Sequence, residues 1–515
     1  QERRCLYGSL PYIATYGMQN REGVVRKLLR QASRKSLLED EAQSGECAPL
    51  SRQRSVSAEQ FQELDVDEIL MTTPLLLACL VCILSSFLNG YNTSVMNAPA
   101  AVVFPGHSTF MWSLAVSAFA IGGPFGAIAG GFMANKRGRR GACLRNMWIF
   151  LVGGLMMSLA PSMAWLVPAR FITGFASGLA TVLVPVYLGE MAPPTLRGTL
   201  GTLSQFAMVI GILVSDLLAF PLATEQNWRY LFAVTPVLAV AQLAMSPFLL
   251  ESPRWLLGQD SDSAEARLVI QKTRGFRHEI DVENEVQNFL YASAKHKTKF
   301  NSAHSSGAML DLLRTREIRV LVVSCVVLQM SQQLCGINAV FYYSTSFFEG
   351  IISNPLVGTT MVGAVNVLAT YAALLLMDTT ERRNLILVSS GGMLLSTVLL
   401  TVSLLGYISH AYVAIAAVML YVMFFEIGLG PIPWLIVAEM FDAKYVATAM
   451  SLSCIVNWTC NFLVGLLFPF MNDFLGDWSF VPFGVVLFAT FLFTYSYLPE
   501  THGRSVADIQ RLAAA

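Results

Sequence analysis

Charged residues are scarce in this chain. Only 13% of its 515 residues are Asp, Glu, Lys or Arg, whereas soluble globular domains carry about 25%. Hydrophobic residues make up 54% of the chain, and the mean hydropathy is +0.55. This composition argues against a soluble globular protein and predicts one that lies largely in a membrane.

Motifs of several functional classes are also absent. There is no GxxxxGK and no strand–GxGxxG–helix unit, so an ATPase is unsupported and no nucleotide partner is expected. The only CxxC spacing among the nine cysteines, Cys79 with Cys82, lies inside an apolar run, where cysteine serves as a small packing residue. The six histidines lie near loops, so no metal site or disulfide framework is indicated. No Ser/His/Asp constellation is present either. We therefore expect no enzyme activity, no cofactor and no nucleic-acid partner.

Long apolar runs are abundant instead. Runs of about 18 or more apolar residues mark membrane spans, and the sequence predicts twelve: 74–92, 111–133, 142–162, 164–189, 200–220, 230–250, 318–347, 356–377, 384–408, 411–438, 446–470 and 478–498. We predict an all-α membrane protein with twelve transmembrane helices in two six-helix pseudo-symmetric bundles, joined by a small cytoplasmic helical segment. The predicted parts are a disordered cytoplasmic tail (1–72), the first bundle (73–250), the linker (251–317), the second bundle (318–498) and a cytoplasmic C-terminal tail (499–515).

Positive charge falls on one side of the predicted spans. With a cytoplasmic N-terminus, 32 of the 34 Lys and Arg residues lie in cytoplasmic segments, and only Arg170 and Arg229 do not. The positive-inside rule then places both termini and the linker in the cytoplasm. We expect the plasma membrane, although the Arg/Ser bias of 21–36 also fits an organelle transit peptide.

The two halves repeat each other's short motifs. Segment 135–140 after span 2 is matched 243 residues later by 378–383, and Glu190 after span 4 is matched 249 residues later by Glu439. Matching offsets indicate two parallel six-helix repeats. The repeated carboxylate–guanidinium pairing favours a salt-bridge lattice between helix ends, with topology marking as the plainer alternative.

Three of the four amides in span 7 lie close to a glycine, in the segment QMSQQLCGINAVFYYSTS at 329–346. These three amides are Gln332, Gln333 and Asn338, and Gly336 lies between them. An unpaired polar group in the bilayer core costs several kcal/mol, so such residues usually face a cavity. Amides carry no charge and both donate and accept hydrogen bonds. They therefore suit a neutral, hydroxyl-rich ligand such as a sugar.

Nine motifs occur in order between about residues 74 and 505. They are GYNT at 90–93, RGRR at 137–140, Glu190 with Arg197, GTL at 201–203, ESPR at 251–254, QQLCGIN at 332–338, GPIPW at 430–434, NWT at 457–459 and PETHGR at 499–504. In this combination the chain resembles the sugar porter family of the major facilitator superfamily, most closely its facilitative glucose transporters.

The resemblance implies a sugar site at the bilayer midplane between the halves, with local unwinding of span 7. The implied contacts are Gln205, Gln332, Gln333, Asn338, Asn366, Glu426, Trp434, Asn457 and Trp458. Pro431 and Pro433 must break span 10 just before Trp434, which favours a sugar-stacking role there over an interface anchor. Trp458 stays open between ligand contact and packing.

Gates on both sides of the site are implied as well. The gating residues are Glu190, Arg197, Arg139, Arg140, Glu251, Arg254, Arg382, Arg383 and Glu439 in the cytoplasm, and Tyr342 and Tyr343 outside. The cytoplasmic pairs are expected to hold the outward-open state and to break for inward release. Val446 stands where the family pattern has Arg and Glu381 where it has Gly, so the second half is expected to be latched less tightly.

The expected activity is facilitated diffusion of a hexose, D-glucose by preference, through alternating access. Sugar/proton symporters of the family carry Asp where this chain has Asn92, and an amide cannot take up a transported proton. Symport through Asp216 or Glu426 stays an alternative because both acids lie inside spans, although the plainer view of Asp216 is a wetted carboxyl. A non-transporting sugar sensor is disfavoured by the short C-terminal tail. The expected partners are the hexose and the lipid bilayer, and the oligomeric state is open, a monomer being compatible.

Overall fold

The twelve predicted spans are all present as helices. The computed structural model describes residues 71–193, 196–300, 312, 314, 318–349, 351–377, 379–407, 411–441, 445–504, 506, 508, 509 and 511. Among these residues, nine helices are long and apolar enough to cross a membrane, and two shorter apolar helices are Trp228–Ala244 and Val481–Tyr497. One of the nine, Thr109–Ser158, contains two spans, because Gly138 breaks it at φ 78° and ψ 167°.

Six spans make up the first half. Its helices are α1 (Thr73–Ser94), α2 (Thr109–Ser158), α3 (Met163–Met191), α4 (Arg197–Leu222) and α5 (Trp228–Ala244). Side-chain caps begin the first two: the hydroxyl of Thr72 accepts from the N–H of Leu75 at 3.4 Å, and that of Ser108 from Met111 at 3.3 Å. Such caps satisfy N–H groups that a helix start leaves without partners.

Three polar helices follow: α6 (Pro253–Gln259), α7 (Ala264–Arg274) and α8 (Glu279–Phe300). The end of α7 contacts the first half, because Arg274 donates to the carbonyl of Met191 at 2.6 Å and Thr72 donates to that of Thr273 at 3.2 Å. We call the face of the molecule that carries these helices the linker face, and the other end of the spans the opposite face.

The second half also contains six spans, and two of them are broken. Its helices are α9 (Arg319–Leu334), α10 (Ile337–Phe348), α11 (Pro355–Met377), α12 (Arg382–Leu404), α13 (Ala411–Ile427), α14 (Ile432–Met440), α15 (Val446–Leu475) and α16 (Val481–Tyr497). Span 7 is α9 with α10, and span 10 is α13 with α14. Broken membrane helices are tolerated only where they line a cavity or contact protein.

The motifs that repeat between the two halves form corresponding hydrogen bonds in each half. In the first half, Glu190 accepts from the guanidinium of Arg139 at 2.7 Å and from the hydroxyl of Ser252 at 2.5 Å. In the second half, Glu439 accepts from Arg382 at 3.4 Å and from the hydroxyl of Thr501 at 2.5 Å. The two six-helix bundles are therefore pseudo-symmetric at the level of side chains.

A second carboxylate repeats in the same way. Glu251 accepts from the backbone N–H groups of Arg139 (2.7 Å), Arg140 (3.2 Å) and Ser252 (2.8 Å). Glu500 accepts from the N–H groups of Arg382 (3.0 Å), Arg383 (3.0 Å), Thr501 (2.9 Å) and His502 (2.7 Å). Each carboxylate thus ties the turn between two spans to the segment that follows the last span of its half.

The outside of the bundle carries many exposed apolar side chains along the spans. Ile128 is 60% exposed, Leu368 69% and Leu395 73%, and all three lie in the middle of spans. Soluble monomers rarely expose broad apolar surfaces of this kind. The exposed apolar side chains fit contact with lipid hydrocarbon.

Candidate functional site

Span 7 unwinds at Gly336, as the resemblance implied. Gly336 has φ +92°, a conformation that favours glycine, and a Cβ at this position would lie 2.5 Å from the ring of Phe483. The break turns α10 relative to α9. As a result, the amide nitrogen of Asn338 donates to the side-chain carbonyl of Gln333 across the break.

Asn457 on α15 joins the amides of span 7 into one network. Its Nδ2 donates to Oε1 of Gln329 at 2.8 Å and to Oε1 of Gln332 at 2.6 Å, and its Oδ1 accepts from Nε2 of Gln333 at 3.0 Å. All of these side chains are buried. We call the set of Gln329, Gln332, Gln333, Asn338 and Asn457 the amide cluster.

The amide cluster also supports the break in span 10. Pro433 has no N–H, so the carbonyl of Leu429, four residues earlier, lacks its usual helical donor. Nε2 of Gln332 donates to that carbonyl at 2.9 Å and to the carbonyl of Gly430 at 2.5 Å. Nε2 of Gln329 donates to the carbonyl of Pro433 at 3.0 Å. Gln332 therefore binds span 10 through these carbonyls and α15 through Asn457.

Asn366 is a fully buried predicted site residue whose amide has no partner among the described residues. It lies on α11, and neither its Nδ2 nor its Oδ1 forms a hydrogen bond within the described part of the chain. One turn further, Thr370 donates to the backbone carbonyl of Asn366 at 2.8 Å and lies next to the buried carboxyl of Glu426. Unpaired buried amides are rare in folded proteins, so this one marks a position suited to a ligand.

Trp458 lies against the other half of the molecule. Its indole packs on Phe119 with ring centroids 6.1 Å apart, and a Cβ at Gly123 would come within 2.3 Å of it. Both neighbours belong to span 2, so the geometry is that of packing between the halves. Gln205 on α4 and Trp434 on α14 are half-buried, and the hydrogen bonds of the amide cluster do not include them.

The two halves are bonded to each other at the opposite face. Nδ2 of Asn97, just after α1, donates to the hydroxyl of Ser344 on α10 at 2.7 Å. The N–H of Thr345 donates back to Oδ1 of Asn97 at 3.0 Å. Asn97 was not identified from the sequence, although an amide at the end of an apolar run, two residues before Pro99, was a usable signal.

The predicted outer-gate tyrosines are buried and bonded to span 11. The hydroxyl of Tyr342 donates to Oδ1 of Asn461 at 3.0 Å, and that of Tyr343 donates to the carbonyl of Gly465 at 2.7 Å. Both bonds lie inside the second half.

At the linker face, the predicted ion pairs form within each half. Arg139 meets both carboxylate oxygens of Glu190 at 2.7 Å, whereas Arg382 reaches only one oxygen of Glu439, at 3.4 Å. Because each pair lies inside one half, rocking of rigid halves does not require it to break. A gating role for these pairs stays a prediction.

The other predicted gating residues differ in what they contact. Arg140 meets Glu251 through its backbone N–H, and burial raises the pKa of that carboxyl against the opposing effect of its N–H donors. The Arg383 guanidinium donates to carbonyls at the end of α16, and Arg254 is exposed. The side chain of Arg197 lies outside the described residues, as does the tail 1–70.

Asp216 is not wetted, contrary to the plainer expectation. Only 4% of it is exposed, and its Oδ1 accepts from the hydroxyl of Ser94 at 2.5 Å. Its position near the end of span 5 suggested water contact, but α1 and α11 pack against it there. A residue near the end of a span is buried when neighbouring helices cover it.

Asn92 forms its hydrogen bonds within the first half. Its Nδ2 donates to the carbonyl of Leu88 at 2.8 Å and to the hydroxyl of Thr235 at 3.2 Å. Its backbone carbonyl accepts from the buried guanidinium of Arg170 at 2.7 Å.

Comparison with known proteins identifies the family. The family model described as "Sugar (and other) transporter" matches residues 78–513. The human and rabbit proteins named "Solute carrier family 2, facilitated glucose transporter member 3" are 38% and 40% identical over 466 residues, which cover 86% of this chain and 92% of each relative. The Escherichia coli xylose transporter XylE in an inward-open conformation is 25% identical with a TM-score of 0.71, over 84% of this chain and 98% of that one.

Proposed function

This chain belongs to the sugar transporter family, and from that premise we propose that it carries a hexose, D-glucose, across a membrane by facilitated diffusion. The observation that carries the proposal is the amide cluster, which places uncharged donors and acceptors between broken membrane spans. A sugar offers hydroxyl groups that both donate and accept, so it can replace amide–amide bonds one for one. Relatives named as facilitated glucose transporters support glucose as the substrate.

Transport proceeds by rocking of the two halves around this cluster. In the present conformation Asn97 bonds the halves at the opposite face, and we infer that the site opens to the linker face. The likeness to an inward-open transporter supports this assignment. Sugar shifts the exchange between states only by the difference in its affinity for them.

The linker face is the cytoplasmic face, with both chain termini on that side. Its support is the distribution of charge, since 32 of 34 Lys and Arg residues fall on this side of the spans. We place the protein in the plasma membrane. Both the amide cluster and the gate at Asn97 are formed by one chain, so a monomer suffices for transport.

Uniport is favoured over symport by the chemistry of Asn92. Its amide carries no titratable proton, and its Nδ2 bonds within the first half. Symport is the second candidate, because Asp216 and Glu426 are buried acids inside spans. A XylE structure is described as that of a proton:xylose symporter, so the fold admits both modes.

The test is uptake of radiolabelled D-glucose into proteoliposomes that contain the purified protein. We expect uptake that equilibrates, that unlabelled hexoses compete with, and that L-glucose does not inhibit. Empty liposomes and the Asn457→Ala variant are the controls. Uptake of no hexose by the wild-type protein contradicts the proposal.

A further inference from the structure

Asp216 lies in the interface between the halves, beside the gate at Asn97. Its Oδ2 faces Gly363 on α11 so closely that a Cβ there would lie 2.9 Å from the oxygen. One turn earlier on α11, Thr359 accepts from the hydroxyl of Ser344, the residue that Asn97 bonds. Closure of the opposite face and enclosure of Asp216 therefore involve the same two helices, α10 and α11.

The enclosed carboxyl has one hydrogen-bond donor and no cation among the described residues. Ser94 donates to Oδ1, and no described Lys or Arg forms an ion pair with Asp216. Burial of an ionised carboxylate without an opposite charge is costly, whereas the neutral acid is tolerated. The closed interface is thus built to accept Asp216 with a proton on Oδ2, the oxygen that faces Gly363.

The other titratable groups on the helices around Asp216 either form hydrogen bonds with other residues or lie away from its carboxyl. On α1, Tyr91 donates to the carbonyl of Leu231, and Cys79 and Cys82 lie three turns or more from Ser94. Arg170 on α3 donates to Asn92, and Arg229 on α5 donates to Ser158 and Ala160. Helix α11 has no charged residue, and its Tyr371 is exposed. On α10, Tyr342 and Tyr343 bond α15.

We propose that Asp216 is a proton-binding site that fills when the opposite face closes and empties to the same side when it opens. Separation of α4 from α11 removes Gly363 from Oδ2 and admits water, so the carboxyl releases its proton to the solution at that face. Closure takes one proton back from the same solution. Protons therefore tune the equilibrium between the two states without crossing the membrane.

This inference rests on the proposed uniport function, and it predicts the direction in which pH shifts the equilibrium between the closed and open states. The closed state binds one more proton than the open state, so acid favours closure of the opposite face and alkali favours opening. The ratio of closed to open molecules changes by up to about tenfold per pH unit, the limit for one proton.

The experiment measures the distance between spin labels at Gln226 and Asn472, which are exposed at the opposite face in different halves. The described cysteines are buried or half-buried. Cys5 and Cys47 lie outside the described residues and are replaced by Ser, so that labels are directed to the introduced thiols. The protein is placed in lipid nanodiscs and titrated between about pH 5 and pH 9. The wild-type protein is expected to shift toward the short, closed distance as the pH falls.

Two variants and one matched control give the result its meaning. Asp216→Asn removes the titration, so its distance distribution becomes independent of pH. Glu225→Gln alters an exposed carboxyl just after α4 and keeps the wild-type profile. Ser94→Ala removes the donor that stabilises the ionised form, so its transition moves to higher pH. This variant also tests the site should Asp216→Asn fail to fold.

Failure of the inference is distinguishable from failure of the uniport function. A pH profile that is flat in the wild-type protein, or unchanged in Asp216→Asn, overturns the inference while passive glucose uptake leaves the function intact. A pH-sensitive dye inside glucose-transporting proteoliposomes is expected to report no proton movement. Sugar-driven proton movement that Asp216→Asn abolishes overturns both, since Asp216 is then a coupling site.

Discussion

The side-chain nitrogen of Gln332 donates at 2.9 Å to the backbone carbonyl of Leu429, which Pro433 leaves without a helical donor. The same amide accepts from Asn457 at 2.6 Å. One side chain thus repairs the break in span 10 and forms part of the candidate sugar site. A sugar that competes for this amide also acts on the break, which connects substrate binding to helix movement.

Gln332→Leu should destabilise the protein because it leaves the carbonyls of Leu429 and Gly430 without a side-chain donor. We expect a loss of about 1–3 kcal/mol, measured by thermal unfolding in detergent. Pro433→Ala restores an N–H for Leu429, so the double variant should lose about 1 kcal/mol less than the sum of the single losses. Pro469→Ala, inside α15 near its C-terminal end, is the control and should combine additively. Additive behaviour of the Pro433 pair contradicts the bonding described.

Asn457→Ala should weaken glucose binding at least tenfold, about 1.4 kcal/mol. The substitution removes three hydrogen bonds from the amide cluster. The matched control is Thr459→Ala, two residues further on the same helix. Thr459 is exposed and donates only to the carbonyl of Ile455 in its own helix. Binding measured by calorimetry should change less than about twofold in the control. Equal losses in both variants would place the site elsewhere.

Arg139→Lys should destabilise the protein more than Arg382→Lys, by at least about 1 kcal/mol. Arg139 holds both oxygens of Glu190 at 2.7 Å, whereas Arg382 reaches one oxygen of Glu439 at 3.4 Å. Lysine cannot reproduce a two-pronged guanidinium contact. The comparison is made by thermal unfolding of the purified variants. The reverse order would show that the second half is the more tightly latched one.

Asn97→Cys with Ser344→Cys should arrest transport when the pair is oxidised. The side chains meet at 2.7 Å across the two halves, so a disulfide there holds the opposite face closed. Glucose uptake should fall to the level of empty liposomes and return when a reductant is added. Each single cysteine variant serves as the control and should be insensitive to oxidation. Full transport by the cross-linked double variant would refute the gate at Asn97.

Apolar length and repeated motifs were sufficient to predict the twelve spans and the pseudo-symmetry. The amides of span 7 were also identified, because polar groups in an apolar run are conspicuous. The hydrogen-bond partners of these amides could not be predicted from the sequence. That Gln329 and Gln332 support the break in span 10 depends on how two spans that are distant in sequence pack together. The same holds for Asp216, whose burial is decided by Ser94 and Gly363 rather than by its position along span 5.

Functional roles for small polar residues in turns were also not identified from the sequence. Asn97 forms the bond between the halves at the opposite face, yet in the sequence it is one polar residue in a short turn. The repeat offsets predicted carboxylate–guanidinium pairs at the linker face without specifying which carboxylate meets which guanidinium. Their confinement to single halves, however, is a property of the folded bundles and has no signature in sequence spacing.

The central claim is that the protein equilibrates a hexose without using a proton gradient. The most direct measurement is the steady-state ratio of internal to external radiolabelled glucose in proteoliposomes, with an inward proton gradient imposed. We predict a ratio of one, with or without the gradient. A ratio well above one that collapses when a protonophore dissipates the gradient would contradict the claim and establish symport.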